Sequence, residues 1–489
     1  MKILTAAEMR EVDRLTIERG VPSLVLMENA ACRVVEAMER EFAPLAAQRI
    51  LIVCGKGNNG GDGLAIARQL LLRNPAEVPR GNSLGKVASL WVLLTARPAE
   101  LSPDAAANLK MFELSGGHVE SSILPEMRTA TLLVDALLGT GLRGMPHEAS
   151  QILIREMNQG FPLAQKVAVD IPSGMTSDDA GGDWEHVNAD LTVTFTAPKP
   201  VHLLGSGIGK LLVGQIGSPA ELLDRAQLNV SEAADFAEVL RSRKADANKG
   251  SFGHVLVIGG SPGKTGAAEM SGLAALRIGA GLVTVSSSGQ LRTPELMTES
   301  PPSFERKTVA AVGPGLGQDP TVQREIRDWF GACPLPMVVD ADGLNALAAS
   351  NEWSPHAALR VLTPHPGEMS RLTGKAIPEV QADRLATARD FATDRDVVLV
   401  LKGHRTVIAF PDGSTWINPT GTPALATAGT GDILTGMIAG LLAQFPADPR
   451  LAVRAAVFLH GRCGELCAHP LIATDLLTKL PEAIREIRG

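Results

Sequence analysis

Short apolar runs alternate with polar, helix-like segments along both halves of the chain. In the first half, five aliphatic or β-branched runs each end at a turn signal, and they read RILIVC, VASLWVLL, TLLVDAL, KVAVDI and DLTVTFT. Runs that are apolar throughout are typical of strands buried on both faces, as in a parallel sheet covered by helices. Before them, the capping-box pair Thr5 and Glu8 marks the start of the first of two predicted helices.

The alternation pauses between about residues 219 and 247, where the chain is charged and helix-like. We expect a connector there, without a core strand, and the first helix of a new domain. The alternation then resumes with HVLVIGG, GLVTVSS, TVAAVGPG, MVVDADG, RVLTPH, VVLVLKG and RTVIAF. A chain of 489 residues is also too long for one ordinary core. The pattern therefore predicts an α/β protein with two domains, residues 1–218 and 219–489, each a three-layer αβα sandwich.

Composition and charge exclude several classes of protein. Hydrophobic residues make up 45% of the chain and charged residues 20%, which is typical of a soluble globular protein. A net charge of −7 provides no general basic face for nucleic acid, and no apolar run is long enough for a membrane helix. The N-terminus carries charges where a signal peptide would be apolar, and the five cysteines form no CxxC pair. We therefore expect a cytoplasmic protein that binds neither nucleic acid nor membrane.

The densest group of metal-type side chains comprises His460, Cys463, Cys467 and His469. The first three could share one helical face. Structural zinc, however, usually shows paired CxxC or HxxxH spacing. We therefore favour small buried thiols over a metal site.

The stretch GKGNNGGDG, residues 55–63, stands between an apolar strand and a predicted helix, where α/β proteins bind phosphates. It formally matches the GxGxxG pattern. An ordinary dinucleotide site would place an acid after the second strand to bind ribose, but that strand ends in threonine and alanine. The loop does not match the Walker A pattern either, because no Lys-Ser/Thr pair ends it. The turn predicts phosphate binding without ordinary hydride transfer.

Polar side chains follow three predicted strands of the first half. Asn59 and Asp62 lie in the glycine turn, and Asp135 ends a later strand. Asp170 and Ser173 follow the next one. Because parallel strands end at one edge of a sheet, these side chains could meet in one crevice, and their oxygens together suit a hard cation. The alternative is that each aspartate only caps a helix or a turn.

In the second half, ATAGTGDIL places a turn of small residues at the start of an apolar helix. Backbone N–H groups at a helix start can hold an anion, and Asp432 there could act as a general base on a hydroxyl that attacks phosphate. The alternative is a tight packing turn with Asp432 as the N-cap. Lys402 follows another strand and suits phosphate, and His365 lies at a further strand end. The loop GPGLG would let the backbone approach a ligand closely.

Several first-half motifs resemble the epimerase domain of the NAD(P)H-hydrate repair enzymes, namely LMENAA, GKGNNGGDG, VDALLGTGL, VDIPSG and ADLTVTFTAPKP. The resemblance spans roughly residues 1–218 and implies a Rossmann-like fold. It implies that the hydrated nicotinamide dinucleotide contacts Asn58, Asn59, Gly60, Gly61, Asp62, Gly139, Thr140, Gly141, Leu142, Arg143, Gly144, Met145 and Asp170. It also implies a potassium ion bound by Asn59, Asp135 and Ser173. Two departures, Val201 in place of a usual glycine and a long loop at residues 73–86, lie away from these motifs.

Motifs of the second half resemble the ADP/ATP-dependent NAD(P)H-hydrate dehydratase, which is similar to the ribokinase superfamily. They read NKGSFGHVLVIGG, GPGLG, VVDADGLNAL, LTPHPGEMSRL, LKGHRTVI and GTGDILTGMIAGLLAQ. The resemblance implies that the hydrate contacts Ala268, Gly317, His365 and Asp432. It implies that the adenine nucleotide contacts Lys402, Gly403, His404, Arg405, Thr406 and Gly431. Thr422 and Ala428 stand in place of the usual asparagine and glycine, which changes the shape of the anion-binding turn.

Together the two resemblances imply one repair pathway for hydrated NADH and NADPH (NADHX and NADPHX). The first domain, an isomerase, would interconvert the R and S hydrates, with Asp170 transferring a proton. The second domain, a lyase, would dehydrate the S hydrate: Asp432 deprotonates the C6 hydroxyl, which takes a phosphoryl group from ADP or ATP, and phosphate then leaves. From ADP the other product is AMP. Magnesium would accompany the nucleotide, and we expect a homo-oligomer.

A different pair of functions stays open at this point. The second domain could be a small-molecule kinase of the ribokinase type, which keeps its phosphorylated product. The first domain could then be a binding module without catalytic activity.

Overall fold

The computed structural model describes residues 1–73, 89–180, 182–241, 246–350 and 353–488. Internal contacts divide the chain into two compact units, one of Lys2–Ala226 and one of Met1 together with Gln227–Gly489. The limits 1–218 and 219–489 stay predictions of where the functional domains divide. The long loop predicted at residues 73–86 lies outside the described residues except for its first position.

The first unit is built on a six-stranded parallel sheet in the order β2-β1-β3-β4-β5-β6. Its strands are β1 (Arg49–Cys54), β2 (Ser89–Leu94), β3 (Leu132–Ala136), β4 (Gln165–Val169), β5 (Leu191–Phe195) and β6 (Lys210–Gly214). Its helices are α1 (Ala6–Glu18), α2 (Ser23–Phe42), α3 (Asn58–Leu72), α4 (Pro103–Leu114), α5 (Glu148–Gln159) and α6 (Val201–Leu204). Five strands and the first two helices match the predicted segments, and the Thr5–Glu8 capping box is present.

Alternate residues of β1 enter two separate hydrophobic cores. Ile50 and Ile52 pack with α2, α3 and α4, whereas Leu51 and Val53 pack with α5. Because side chains alternate across a strand, this division places helices on both faces of the sheet. The predicted three-layer αβα arrangement is therefore confirmed for this unit. β6 is a half-buried edge strand, which explains why its sequence does not show the continuous apolar run of the other strands.

The second unit contains a ten-stranded sheet in the order β10-β9-β8-β11-β12-β13-β14-β15-β16-β7, with β15 antiparallel to both of its neighbours. The strands are β7 (Leu228–Val230), β8 (His254–Ile258), β9 (Leu282–Ser286), β10 (Met297–Thr298), β11 (Val309–Val312), β12 (Met337–Val339), β13 (Arg360–Leu362), β14 (Val398–Leu401), β15 (Val407–Ala409) and β16 (Thr415–Ile417). The helices are α7 (Thr265–Ile278), α8 (Pro320–Ala332), α9 (Asp342–Ala348), α10 (Pro366–Thr373), α11 (Ile377–Ala382), α12 (Arg384–Arg395), α13 (Thr430–Gln444), α14 (Pro449–Leu466) and α15 (Asp475–Arg488).

This unit also has a core on each face of its sheet. Val255 and Val257 of β8 pack with α7, α13 and α14, whereas Leu256 and Ile258 pack with α8, α9 and α12. The α/β class and the second three-layer unit are thus confirmed. Within the described part of the chain, no helix combines the length and the hydrophobicity that crossing a membrane requires.

The prediction for residues 219–247 was wrong in two respects. Strand β7 lies there and pairs with β16. The described residues of the stretch form short 3₁₀ turns, such as Ala233–Phe236, and contain no α-helix. A three-residue strand at the sheet edge is too short for a hydrophobic period to identify it.

Candidate active sites

The sheet of the first unit reverses its order between β1 and β3, which lie side by side. Such a reversal opens a crevice at the carboxyl ends of the strands, where α/β proteins bind ligands. Asn59 follows β1, Asp135 lies near the end of β3, and Asp170 follows β4. The topology therefore brings the predicted residues to one edge of the sheet.

Asp135 and Ser173 form a fully buried oxygen cluster. The Ser173 hydroxyl donates to Asp135 Oδ1 at 2.5 Å, and the Ser173 amide donates to Oδ2 at 2.7 Å. The backbone amide of Leu138 donates to the Ser173 hydroxyl at 2.8 Å. Burial raises the pKa of Asp135 to about 6, although the hydrogen bonds from Ser173 and Leu137 oppose this shift.

Asn59 reaches the same cluster from the start of α3. Its side-chain amide donates to the carbonyl of Leu138 at 2.8 Å. Gly139 lies directly against it, since a Cβ at Gly139 would stand 3.2 Å from the Asn59 side chain. Asn59, Asp135 and Ser173 are therefore brought together around the backbone at Leu138, which leads into the predicted substrate turn at residues 139–145.

The glycine turn places the start of α3 at this edge. A Cβ on Gly55 would lie only 1.9 Å from the carbonyl oxygen of Leu137, so the close approach of the two backbones requires glycine. The helix begins at Asn58, whose side chain accepts a hydrogen bond from the Ser102 hydroxyl at 2.8 Å. Amide groups in the first turn of a helix have no partner within the helix and can bind an anion.

Asp170 is held in a left-handed backbone conformation, with φ of 65°. Its Oδ1 accepts from Lys199 Nζ at 2.6 Å and from the Thr194 hydroxyl at 2.8 Å. His202 accepts from the Lys199 amide through Nδ1, so its Nε2 donates to the Asp170 carbonyl at 2.8 Å. A non-glycine residue held in this backbone region is typical of a functional site.

The acids of this site differ in protonation. Burial opposes ionisation of Asp170, but the Lys199 ammonium outweighs it and lowers the pKa of Asp170. Burial raises the pKa of Asp62 well above its ordinary value, and the nearby Asp170, Asp13 and Asp104 carboxylates add to this shift. Carboxyls whose pKa values are shifted in opposite directions thus lie near one another, which is an arrangement that suits general acid–base chemistry.

In the second unit, a residue of the candidate site follows each of four neighbouring strands. Gly317 follows β11, Asp340 follows β12, His365 follows β13 and Lys402 follows β14. A cavity of 620 Å³ lies at this edge. It is lined by His365, all five residues of the predicted nucleotide loop (Lys402, Gly403, His404, Arg405 and Thr406), and Gly431.

Three of the predicted hydrate contacts, Ala268, Gly317 and Asp432, do not line this cavity. Ala268 is fully buried beneath the glycine turn after β8. The Gly317 amide donates to Asp342 Oδ2 at 2.8 Å. The structure thus gathers His365 with the predicted nucleotide residues and does not bring the other predicted hydrate contacts into that cavity.

Lys402 is fixed by the carboxylates of Asp340, which follows β12, and Glu368, which lies in α10. Its ammonium donates to Asp340 Oδ1 at 2.8 Å and lies 3.8 Å from Glu368 Oε2. The Thr435 hydroxyl donates to the other Asp340 oxygen at 2.8 Å. Burial opposes the charge on Lys402, but the Asp340 and Glu368 carboxylates raise its pKa. The ammonium therefore remains charged and oriented.

Asp432 lies in the first turn of α13, after the left-handed Gly429. Burial raises the pKa of Asp432 to about 7, and the Asp340 carboxylate adds to the shift, whereas Lys402 opposes it. No hydrogen bond within the described residues makes Asp432 an N-cap, because Gly429 occupies that position. A pKa near neutrality suits a general base.

Of the two thiols near the C-terminus, Cys467 is partly exposed, so only Cys463 fits the prediction of small buried thiols. Cys463 is buried, and His460 is directed to the Thr430 carbonyl at 2.9 Å. Among the residues that the structure describes, no three histidine, cysteine or acidic side chains are arranged to hold a metal ion. All five cysteines are free thiols.

Sequence reasoning missed the residues that hold the predicted ones in place. Lys199 and Thr194 fix Asp170, and both lie in the quoted motif ADLTVTFTAPKP. Asp340 fixes Lys402 and lies in VVDADGLNAL. Arg384 donates to the carbonyls of Leu401, Lys402 and His404. These hydrogen bonds hold the backbone of the predicted nucleotide loop in place. Lys199 and Asp340 lie in motifs that the sequence analysis had already singled out, so they could have been found from the sequence. Arg384 is the first residue of α12 and lies in none of those motifs.

The two halves of the chain match two different family models. A family model described as YjeF-related protein N-terminus matches residues 23–201, and one described as NAD(P)H-hydrate dehydratase matches residues 255–486. The bifunctional NAD(P)H-hydrate repair enzyme Nnr of Moorella thermoacetica is 41% identical, and the match covers 100% of this chain and 97% of that one. The Escherichia coli enzyme of the same name is 34% identical over 90% of this chain and 85% of its own.

Among solved structures, the ADP/ATP-dependent NAD(P)H-hydrate dehydratase of Bacillus subtilis, co-crystallised with ATP/Mg²⁺, is 37% identical. That match covers 53% of this chain and 98% of the other, with a TM-score of 0.49. Both relatives are named as bifunctional repair enzymes, and this chain matches a family model in each half, so the alternative of a kinase joined to a binding module is excluded. This chain belongs to the family of bifunctional NAD(P)H-hydrate repair enzymes, with an epimerase domain followed by a dehydratase domain.

Proposed function

We propose that Asp170 carries a proton transfer by which the first unit interconverts the R and S hydrates. The observation that supports this role is a single ionised carboxylate, 13% exposed, held against a lysine that is 1% exposed. The left-handed backbone at Asp170 fixes the carboxylate at the open edge of the sheet. Such a group can exchange a proton with the substituted C6 centre while the protein holds it in one orientation.

We place the substrate along the two loops that meet at Asn59. The amides that open α3, in the segment Asn58, Asn59, Gly60, Gly61 and Asp62, suit the dinucleotide phosphates. The turn at residues 139–145 would cover the opposite side, with Asp170 facing the nicotinamide ring.

Potassium fits the oxygen cluster at Asp135. The carboxylate is fully buried, and none of the ion pairs between described residues supplies it with a lysine or arginine. A buried charge without a partner is costly, so a bound cation would compensate it. Asn59, Asp135 and Ser173 would hold the ion, which would supply the positive charge that fixes the Leu138 loop and favours the substrate phosphates.

For the second unit, we propose that Asp432 removes the proton of the C6 hydroxyl of the S hydrate. The hydroxyl oxygen then forms a bond to the terminal phosphorus of ADP or ATP, and the bond from that phosphorus to the leaving nucleotide breaks. Phosphate next departs with the C6–O bond while C5 loses a proton, which restores the C5–C6 double bond. Lys402 would stabilise the charge on the transferring phosphoryl group.

We assign the 620 Å³ cavity to the adenine nucleotide, because Lys402, Gly403, His404, Arg405, Thr406 and Gly431 line it. The hydrate would lie beside it, with Ala268, Gly317, His365 and Asp432 around the ring. His365 lines the cavity itself and would stand between the two substrates.

Magnesium would be held mainly by the nucleotide phosphates. This fits the finding that no group of three acidic, histidine or cysteine side chains among the described residues forms a metal site by itself. Mg²⁺ bound with a nucleotide usually takes one or two carboxylates besides phosphates. The ion would neutralise phosphate charge that otherwise repels the attacking oxygen.

The experiment follows both hydrates in a mixture supplied with ADP or with ATP. We expect return of the near-ultraviolet absorbance of the reduced nicotinamide, free phosphate in equal amount, and faster repair with ADP. A phosphorylated product that accumulates would overturn the dehydratase mechanism. Free thiols at all five cysteines support a cytoplasmic setting, and the homo-oligomer stays a prediction that light scattering would test.

A further inference from the structure

Asp13 is a half-buried acid that none of the assigned roles uses. It lies in the middle of α1, and its Oδ1 is inaccessible to solvent. Within the part of the chain that the structure describes, this oxygen has no hydrogen-bond partner. A buried polar atom without a partner costs free energy, and a catalytic role is one reason for which a native protein keeps such an atom.

Helix α1 packs against the segment that carries Lys199. Val12, the residue before Asp13, shares a small hydrophobic core with Leu4 and Ala197. The amide of Leu4 donates to the carbonyl of Pro198 at 3.0 Å. The helix that carries Asp13 therefore packs against the residues that directly precede Lys199.

The charges around Asp13 come from three elements. Lys199 and Asp170 act on it from the ends of two strands, and Asp62 lies near it at the start of α3. Burial raises the pKa of Asp13 to about 6, with a further contribution from Asp170 and opposition from Lys199. The pKa of Asp170 is shifted in the opposite direction. Two carboxyls that share one site but differ in this way can serve as acid and base.

The chemistry of the hydrate needs such a pair. Its C6 hydroxyl is attached to a carbon that also bears the ring nitrogen. When a proton reaches the hydroxyl, the C6–O bond breaks, water leaves, and the nitrogen lone pair forms a C6=N1 double bond. Water then adds to the other face, the double-bond electrons return to nitrogen, and the added water gives up a proton.

We propose that Asp13 is the acid of the epimerase: it donates a proton to the departing C6 hydroxyl, and Asp170 accepts the proton of the water that adds. The two steps leave Asp13 ionised and Asp170 protonated, which is the state required for the reverse conversion. Proton exchange with solvent restores the first state. This role rests on the proposed epimerase site at Asp170.

The test uses the full-length chain carrying Asp13→Asn, Asp13→Glu or Asp170→Asn, with Glu11→Gln as a matched control. Glu11 is exposed on the same helix and pairs with Arg14. Conversion of pure R hydrate to S hydrate is measured from pH 5 to 8, together with equilibrium binding of the R hydrate. Dehydration of S hydrate by the second unit reports that each variant is intact.

We expect Asp13→Asn to slow R-to-S conversion by about 100-fold or more, as for loss of a general acid, with unchanged hydrate binding. Asp13→Glu should recover part of the rate, and Glu11→Gln should behave like the unmodified protein. In the unmodified protein, the rate should fall as pH rises above about 6, and this fall should be absent from Asp13→Asn.

Normal conversion by Asp13→Asn with an inactive Asp170→Asn would overturn the role of Asp13 and leave the epimerase site in place. Normal conversion by both variants would overturn the site itself. If Asp13→Asn does not fold, the pH profile of the unmodified protein decides: a rate that rises from pH 6 to 8 contradicts an acid at Asp13.

Discussion

Lys199 Nζ lies 2.6 Å from Asp170 Oδ1, and the lysine side chain is only 1% exposed. The same ammonium also donates to the Thr194 hydroxyl and to the Phe195 carbonyl. All three of its hydrogens are therefore used, and Asp170 is the carboxylate to which it donates. The ion pair makes Asp170 an anion in a site where burial alone would protonate it.

Replacing Lys199 by methionine should slow R-to-S conversion and shift its pH dependence. Without the ammonium the pKa values of Asp170 and Asp13 both rise, so the pH at which the rate is highest should move upward. The unpaired buried carboxylate should also cost about 3–5 kcal/mol of stability. Rates between pH 5 and 9 and urea unfolding check both effects.

Lys210→Met is the matched control, because Lys210 forms an exposed pair with Glu41. An unchanged pH profile in Lys199→Met would show that the lysine does not govern ionisation of Asp170.

Asp432→Asn should abolish dehydration of the S hydrate and leave epimerisation intact. In the unmodified protein, the base must be ionised, and burial places its pKa at about 7. The dehydration rate should therefore rise as pH increases through 7, opposite to the fall expected for the epimerase. Phosphate release with S hydrate and ADP measures it, with the exposed Asp390→Asn as control, and near-normal release in Asp432→Asn would remove the residue from the mechanism.

Asp340→Asn should weaken binding of the adenine nucleotide. Lys402 loses a charge-assisted hydrogen bond worth about 1.5–3 kcal/mol, so the KM for ADP should rise roughly 10- to 100-fold. Because Asp340 also raises the pKa of Asp432, the pH dependence of dehydration should shift to lower pH. A variant that changes stability alone would leave that pH dependence where it was.

Gly55→Ala should damage the first site, whereas Gly57→Ala should be tolerated. A Cβ on Gly55 would lie 1.9 Å from the Leu137 carbonyl oxygen, but one on Gly57 would meet no heavy atom within 4 Å. The backbone at Leu137 would have to move, at a cost of about 1–3 kcal/mol, and with it the Asp135–Ser173 cluster. Thermal unfolding and the potassium concentration needed for half-maximal epimerisation test the pair, and equal behaviour of the two variants would contradict the steric argument.

The sequence predicts the two sheets well because their strands are continuous apolar runs. It also predicts that Asn59, Asp135, Asp170 and Ser173 converge, since parallel strands end at one edge. Strands β7, β10 and β16 were missed because two or three residues carry no period. Asp13 could not be found in this way, because a single acid on an amphipathic helix looks like a solvated residue until α1 is packed against the segment of Lys199.

The most direct measurement mixes two full-length variants with pure R hydrate and ADP. Asp170→Asn should repair R hydrate no faster than it epimerises spontaneously, and Asp432→Asn should convert it to S hydrate without repair. Two independent sites require that the mixture restores reduced nicotinamide at a rate near that of the unmodified protein. Repair of R hydrate by Asp170→Asn alone at the normal rate, or no repair by the mixture, would contradict a two-site enzyme with these catalytic residues.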